Sequence, residues 1–352
     1  MAGKANLDAA RAAKNDEFYT QWSDIENEMQ AYLQYNPDVF RGKTILLPCD
    51  DPDWSNFTKY FTEHFEQLGL KKLISTSYAA DGGSGKVFVL EGENEPQWGY
   101  LAGDGDFRSD EVTALRDEAD MVITNPPFSL FREFLAWLVE GDVKFSIIGN
   151  KNAITYKEVF PLIKENKMWL GNGFARGNAY FRIPPELARD FASGVYDEDT
   201  STVHFRNIDW FTNIEHVRRH ESLALMTMED NLTYGSKRVR QTAYPHYDNY
   251  DAIEVPETKG IPSDYPGLMG VPISFLDKYN PEQFEIVKFR HGNDGKDLGY
   301  TQEDGTYKTP YFRILIRHRN PERREPQALS RSQSGQSSLR CKRELSHVEV
   351  RG

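Results

Sequence analysis

The chain has 352 residues, 39% hydrophobic and 27% charged, an ordinary globular balance that excludes a fibrous or wholly disordered polypeptide. Its net charge of −12 argues against a coat protein that holds nucleic acid through phosphates alone, but is compatible with an enzyme that has a local basic cleft. The two cysteines, Cys49 and Cys341, make no disulfide framework, and the N-terminus lacks the apolar core of a signal peptide. No apolar run reaches membrane-spanning length and no ligand spacing points to a metal, so the reading is a cytoplasmic protein with neither membrane nor metal. The 13% of aromatic residues suits flat ligands such as bases, and equally a core packed with large side chains.

In chain order, residues 1–15 read as a mobile N-terminus. Helical spacing of Trp22, Ile25, Met29, Tyr32 and Leu33 predicts a helix to Tyr35, with Ser23 and Glu26 as a capping box. Strands and helices then alternate: a strand over 44–47, a helix over 55–68 stopped by Gly69, a strand over 72–77, a hairpin over 86–90 and 97–100, and a helix over 110–118. A buried-type strand over 121–124, a helix over 130–139 and a strand over 144–149 complete the run. This alternation predicts an α/β fold with a parallel sheet, whose ligands bind beyond the carboxyl ends of the strands. Past residue 170, β-like segments (174–183, 203–213, 223–228, 252–255, 271–275, 284–290 and 311–317) read as the rest of the sheet plus an appended recognition region. The expected divisions are a core over 16–215, target recognition over 216–319, and a disordered tail over 320–352.

One segment carries chemistry. The apolar strand Met121-Val122-Ile123-Thr124 runs into Asn125-Pro126-Pro127-Phe128. Two prolines end the ladder and stiffen the backbone. The exocyclic amine of an aromatic base is a poor nucleophile because its lone pair is delocalised into the ring. Acceptors at both of its N–H bonds favour a tetrahedral nitrogen, and the Asn125 side-chain oxygen with the Pro126 carbonyl supplies such a pair. Phe128 is placed to stack on the base. The remaining task is positioning and electrostatics beside a methyl donor. The same geometry serves adenine, the N4 amine of cytosine or a protein glutamine amide, and a Pro-Pro turn that caps the next helix is the plain structural alternative.

Asn125-Pro-Pro-Phe128 is similar to the catalytic motif of amino-group methyltransferases with a Rossmann-like fold. Over roughly residues 14–318 the chain resembles the EcoRI-type adenine modification methylases. The resemblance is carried by Asp16–Gln21, Asp50-Asp-Pro52 with Ser55-Asn-Phe57, Gly103–Ser109, Ile154–Phe160, Tyr247–Ile253, Asn280–Phe284 and Pro310–Ile316, among others. It implies S-adenosylmethionine as cofactor and an adenine in a short palindromic site of double-stranded DNA as target. It also implies action as a monomer, with a cognate restriction endonuclease as functional partner. Phe18, Tyr19 and Thr20 match the motif that cradles the methionine part of the cofactor. Pro48, Cys49, Asp50 and Asp51 occupy the first cofactor loop, without the glycines usual there. Either aspartate is a candidate partner for the cofactor ammonium, or an N-cap for the helix that follows. Asp104, Asp106 and Phe107 match the loop at the cofactor adenine, with Asp106 accepting from its amine and Phe107 packing on its ring; an Asp-Gly turn is the alternative. Ser75–Tyr78 lacks the acid that commonly holds the ribose.

An enzyme that modifies an adenine amine must take the base out of the duplex and hold it between apolar groups. Beside Phe128, the candidate walls are Tyr180, Phe181, Trp210 and Phe211, all of which also suit the core of a β segment. Lys237, Arg238 and Arg240 are candidate DNA contacts. His216, His220 and His246 fall in no metal spacing. The non-enzyme alternative is a DNA-binding protein with a vestigial fold.

Overall fold

The computed structural model describes residues 19–80, 82–174, 178–182, 196–197 and 199–322. Phe18, the expected mobile N-terminus and nearly all of the expected tail lie outside these residues.

The first half runs β1 (Tyr19–Thr20), α1 (Trp22–Tyr35), β2 (Thr44–Leu47), α2 (Asn56–Glu63), α3 (Phe65–Leu68), β3 (Lys72–Thr76), β4 (Lys86–Glu91), β5 (Gln97–Tyr100), α4 (Asp110–Glu118), β6 (Met121–Thr124), α5 (Phe131–Glu140), β7 (Lys144–Asn150), α6 (Phe160–Lys164) and β8 (Trp169–Leu170). It continues through β9 (Asn178–Arg182), β10 (Tyr196–Asp197), β11 (Thr202–Arg206) and β12 (Ile208–Thr212). The main sheet has eight strands in the order β5-β4-β3-β2-β6-β7-β12-β8. Strands β3, β2, β6 and β7 are mutually parallel, whereas β4, β5 and β12 run against their neighbours. The fold is therefore mixed α/β around a large mixed sheet.

The central strands are buried and largely apolar because both faces are covered. Ile45 and Leu47 enter one core with α1 and α2, while Leu46 between them enters the other with α4 and α5. Met121 and Ile123 divide from Val122 in the same way. Each such side chain, fully removed from water, contributes roughly 1.5–3 kcal/mol.

Some expectations are corrected. Helix α1 starts at Trp22 with Gln21 at its N-cap, so Ser23 caps nothing and the capping box is not formed. The predicted helix over 55–68 is broken at His64 into α2 and α3, and Gly69 ends it in the left-handed region at φ 65°. The segment over 223–228 is not a strand. Leu223 instead exchanges backbone hydrogen bonds with the Gln283 side chain, which takes the place of a ladder.

Beyond the main sheet lie α7 (Met228–Tyr234) and α8 (Lys237–Thr242), helices that the sequence reading missed, each with a hydroxyl N-cap at Thr227 and Ser236. A second sheet combines β13 (Ile253–Glu254), β14 (Met269–Pro272), β15 (Phe284–Phe289) and β18 (Arg313–His318), with a small hairpin of β16 (Tyr300–Thr301) and β17 (Tyr307–Lys308) alongside. Among the described residues, no helix is long and apolar enough to cross a membrane.

Candidate active site

The chain leaves β2 for β3 on one side and comes back to β6 on the other. Such a switch opens a crevice beyond the carboxyl end of the central strand. The loop Pro48–Pro52 after β2 and Asn125–Phe128 after β6 therefore stand side by side.

Asp50 joins them. Its carboxylate is buried and accepts from Ser55 Oγ at 2.7 Å and from Thr124 Oγ1 at 2.5 Å. Its N–H donates to the Thr76 carbonyl at 3.0 Å, and its own carbonyl accepts from Ser75 Oγ at 2.7 Å. The ends of β3, β2 and β6 are thus tied through one residue. The helix N-cap is neither aspartate but Ser55, whose Oγ accepts from the N–H groups of Phe57 and Thr58. This corrects the capping alternative: Asp50 holds the cap rather than serving as it. Asp51 faces Lys86 Nζ at 3.0 Å, and Lys86 also grips Asp53 at 2.6 Å. Those contacts, Asp53 first, hold the ammonium above the usual lysine range.

Thr20 is buried on the short strand β1, and its carbonyl accepts from Asn56 Nδ2 at 2.7 Å at the start of α2. Strand β1 pairs with β9 in a four-stranded sheet ordered β1-β9-β11-β10. The same small sheet seats the Phe128 ring, which meets Phe181 and Phe205 edge-on at 6.2 Å each. Residues more than a hundred positions apart, Thr20 and Phe128, are therefore joined by one structural unit. Pro126 is buried, Asn125, Pro127 and Phe128 are half-buried, and the Leu130 N–H closes the turn on the Pro127 carbonyl at 2.9 Å.

In the loop before α4, Asp104 accepts from the Asp106 N–H at 3.0 Å and Asp106 is clasped by Arg108. Hydrogen bonding to Arg108 is the leading reason that the Asp106 carboxyl sits below its ordinary range. Phe107 is buried, edge-on to Phe134 at 4.9 Å and Trp137 at 5.6 Å, so its ring is part of the core under the loop.

The candidate base walls separate. Trp210 and Phe211 are fully buried in β12, against Phe57 and Phe174 in one case and Phe131 in the other. Phe181 is also fully buried and reaches the site only through Phe128. These three side chains are core residues, Trp210 and Phe211 on opposite faces of a strand covered on both sides, and a base reaches none of them without opening the core. Tyr180 is the exposed one at 47%, stacked on His204 at 4.8 Å. Lys237, Arg238 and Arg240 are exposed on α8 while Val239 between them is buried, and none of the three has a carboxylate partner among the described residues. His216 is buried and bonded to the Leu170 carbonyl, and among the described residues no cluster of His, Cys, Asp and Glu is arranged to hold a metal.

Sequence reading missed the hydroxyls of Ser55, Ser75 and Thr124 and the cation of Lys86. Ser75 and Thr124 stood out only as polar residues closing apolar strands.

A central parallel sheet, a switch point and an Asn-Pro-Pro-Phe loop at its mouth are the features of an amino-group methyltransferase. The family described as "Adenine-specific methyltransferase EcoRI" matches residues 6–320, and the chain belongs to it. The Type II methyltransferase M.EcoRI of Escherichia coli is 45% identical over 333 residues, covering 89% of this chain and 96% of that protein. The Type II methyltransferase M.MgeORF184P of Mycoplasma genitalium is 37% identical, covering 80% and 85%. M.MpnI of Mycoplasma pneumoniae is 35% identical, covering 79% and 83%. No solved structure matches. Adenine, rather than cytosine or a protein amide, is the specificity of the family.

Proposed function

We propose that this adenine-specific methyltransferase acts on double-stranded DNA, taking a methyl group from S-adenosylmethionine and placing it on N6 of an adenine flipped out of a short site. It works as a monomer, in host protection beside a cognate restriction endonuclease. The strand order, with antiparallel β12 between β7 and β8, supports a Rossmann-like methyltransferase core. The second sheet with α7 and α8 forms the appended target-recognition region, and Lys237, Arg238 and Arg240 meet the DNA.

Two buried hydroxyls suit the cofactor. Among the described residues, Thr20 Oγ1 and Thr76 Oγ1 are buried without a hydrogen-bond partner, one beside the start of α2 and the other at the end of β3 next to Asp50. Buried polar atoms are rarely left unsatisfied, and a polar ligand at the switch point would complete them. Phe18, Tyr19, Thr20 and the Pro48–Asp51 loop would hold its amino-acid part, and Asp104, Asp106 and the backbone beside Phe107 its adenine. When bound, the cofactor supplies an electrophilic methyl group on a sulfonium.

The protein's own part is orientation. The Asn125 side-chain oxygen and the Pro126 carbonyl accept the two N–H bonds of the target amine and turn its lone pair out of the ring plane. Pro127 keeps that backbone stiff. Phe128, braced by Phe181 and Phe205, fixes the plane of the base. The observation that carries the reading is the hydrogen bond from Thr124 to Asp50, which sets the motif against the loop where the cofactor would lie.

The test is modified-base sequencing of genomic DNA from cells that express the chain. N6-methyladenine confined to one short palindromic site is the expected result. Methylation without a site, or a chain that binds duplex and never modifies it, would refute the proposal.

A further inference from the structure

We infer that Asp50 is a positioning residue for methyl transfer: its carboxylate, through the Thr124 hydroxyl, sets the backbone from which Asn125 and Pro126 present their acceptors. The inference rests on the reading of Asn125 as a catalytic acceptor.

The two prolines narrow the ways in which the motif loop can be held. Pro126 and Pro127 have no N–H, so neither can be pinned to a neighbouring strand by a backbone donor. At its far end the loop is closed by Leu130 N–H on the Pro127 carbonyl. At its near end, Thr124 is the last residue of β6 and is fully buried. Its hydroxyl meets Asp50 at 2.5 Å, the short end of the range for an O–H bonded to a charged oxygen.

Asp50 is itself immobile. Ser55 Oγ, the Thr76 carbonyl and Ser75 Oγ fix its side chain and backbone, and Ser75 Oγ is in turn 2.7 Å from Thr58 Oγ1 on α2. Helix α2 needs only Ser55 for its cap, and a hydroxyl cap requires no carboxylate behind it. Burying a carboxylate is costly, so a buried one that did nothing but support a cap would be poor use of the site. What Asp50 adds is a rigid link between the turn after β2 and the residue before Asn125. Misplacing a reacting group by about 1 Å costs on the order of 100-fold in rate, so such a link acts on turnover.

The competing role is a direct one, in which Asp50 holds the cofactor ammonium. The two differ in what Thr124 does, and Thr124→Val removes the hydroxyl while nearly keeping the shape. In the full chain, single-turnover transfer to duplex and binding of S-adenosylhomocysteine by calorimetry are measured for wild type, Thr124→Val, Thr124→Ser and Asn125→Ala. Thr124→Val should lose about 10- to 100-fold in transfer rate with its binding constant unchanged, and Thr124→Ser should restore the rate. Should Thr124→Val fail to melt cooperatively, Thr124→Ala, which also removes the hydroxyl and leaves Asp50 in place, is read in the same way. A wild-type rate in Thr124→Val alongside an inactive Asn125→Ala overturns the inference. So does a loss of binding that matches the loss of rate. Full turnover in Asn125→Ala instead removes the catalytic reading beneath it.

Discussion

Arg108 folds back on Asp106, donating Nη2 at 2.6 Å to one carboxylate oxygen and Nε at 2.9 Å to the other. The Arg108 N–H also reaches the second of these oxygens at 2.9 Å, and its other amine is 2.9 Å from Glu133. Asp106 is thereby kept ionised and aimed, with room for one more donor on the oxygen that Nη2 reaches. As the proposed acceptor for the cofactor adenine, it depends on that aim. Arg108→Met should weaken cofactor binding about tenfold, near 1.4 kcal/mol for one charge-assisted hydrogen bond, with little change in the rate at saturation. Calorimetry with the cofactor checks it, and an unchanged binding constant would release Asp106 from the role.

Phe128 is braced rather than loose, its ring edge-on to Phe181 and Phe205. Phe128→Tyr should retain activity, whereas Phe128→Ala should lose roughly 1–3 kcal/mol of stacking on the base, read as a lower kcat/KM for duplex. If Phe128→Ala lowers only the melting temperature, the ring serves the core alone.

Glu28 is fully buried, accepting from Tyr32 Oη at 2.6 Å and from the Asn172 N–H at 2.8 Å. Burial pushes its carboxyl from 4.5 up to about 8. Below the lower value both folded and unfolded states hold the proton. Between the two only the folded state does, so stability falls as pH rises through that window and levels off above it, by a few kcal/mol at most. In Glu28→Gln the amide oxygen keeps the Asn172 bond, and its NH2 faces a Tyr32 hydroxyl that is free to donate to Ser146 at 2.8 Å. Melting temperatures between pH 5 and 8.5 should therefore decline less in Glu28→Gln than in wild type. Parallel curves would show that Glu28 does not titrate there.

The chain past residue 319 is not uniformly dispensable. Glu322 donates its N–H to the Ser263 carbonyl at 3.0 Å and accepts from Ser263 Oγ at 2.7 Å. A chain ending at Glu322 should keep full activity. One ending at Asn320 loses both bonds and should be less stable by about 1–3 kcal/mol, as read by denaturant unfolding. Lost activity in the longer truncate would give the remaining tail a role.

Much of the first half was legible because its strands are buried on both faces and its helices are punctuated. Met121–Thr124 falls where its apolar run places it, and the helix expected over 110–118 is found there, capped by Ser109. The motif at Asn125 was legible because prolines after a buried strand are rare without cause. What the sequence did not disclose are partnerships across distance. Thr124 and Asp50 are 74 positions apart, and nothing in either segment names the other. Trp210, Phe211 and Phe181 have the composition of a base wall, yet the layers that cover their strands bury them in the core. Past residue 213 the ladders of the second sheet alternate with turns and side-chain bonds such as Gln283 to Leu223, and in those stretches periodicity has little to report.

If Asn125 carries transfer to adenine as proposed, its removal should abolish the modified base. Wild type and Asn125→Ala are each incubated with mixed-sequence duplex and labelled S-adenosylmethionine, and the DNA is digested to nucleosides for mass spectrometry. Wild type should yield N6-methyladenine alone and Asn125→Ala almost none, with cofactor binding intact. N6-methyladenine from Asn125→Ala at the wild-type rate, or N4-methylcytosine from wild type, would contradict the proposal.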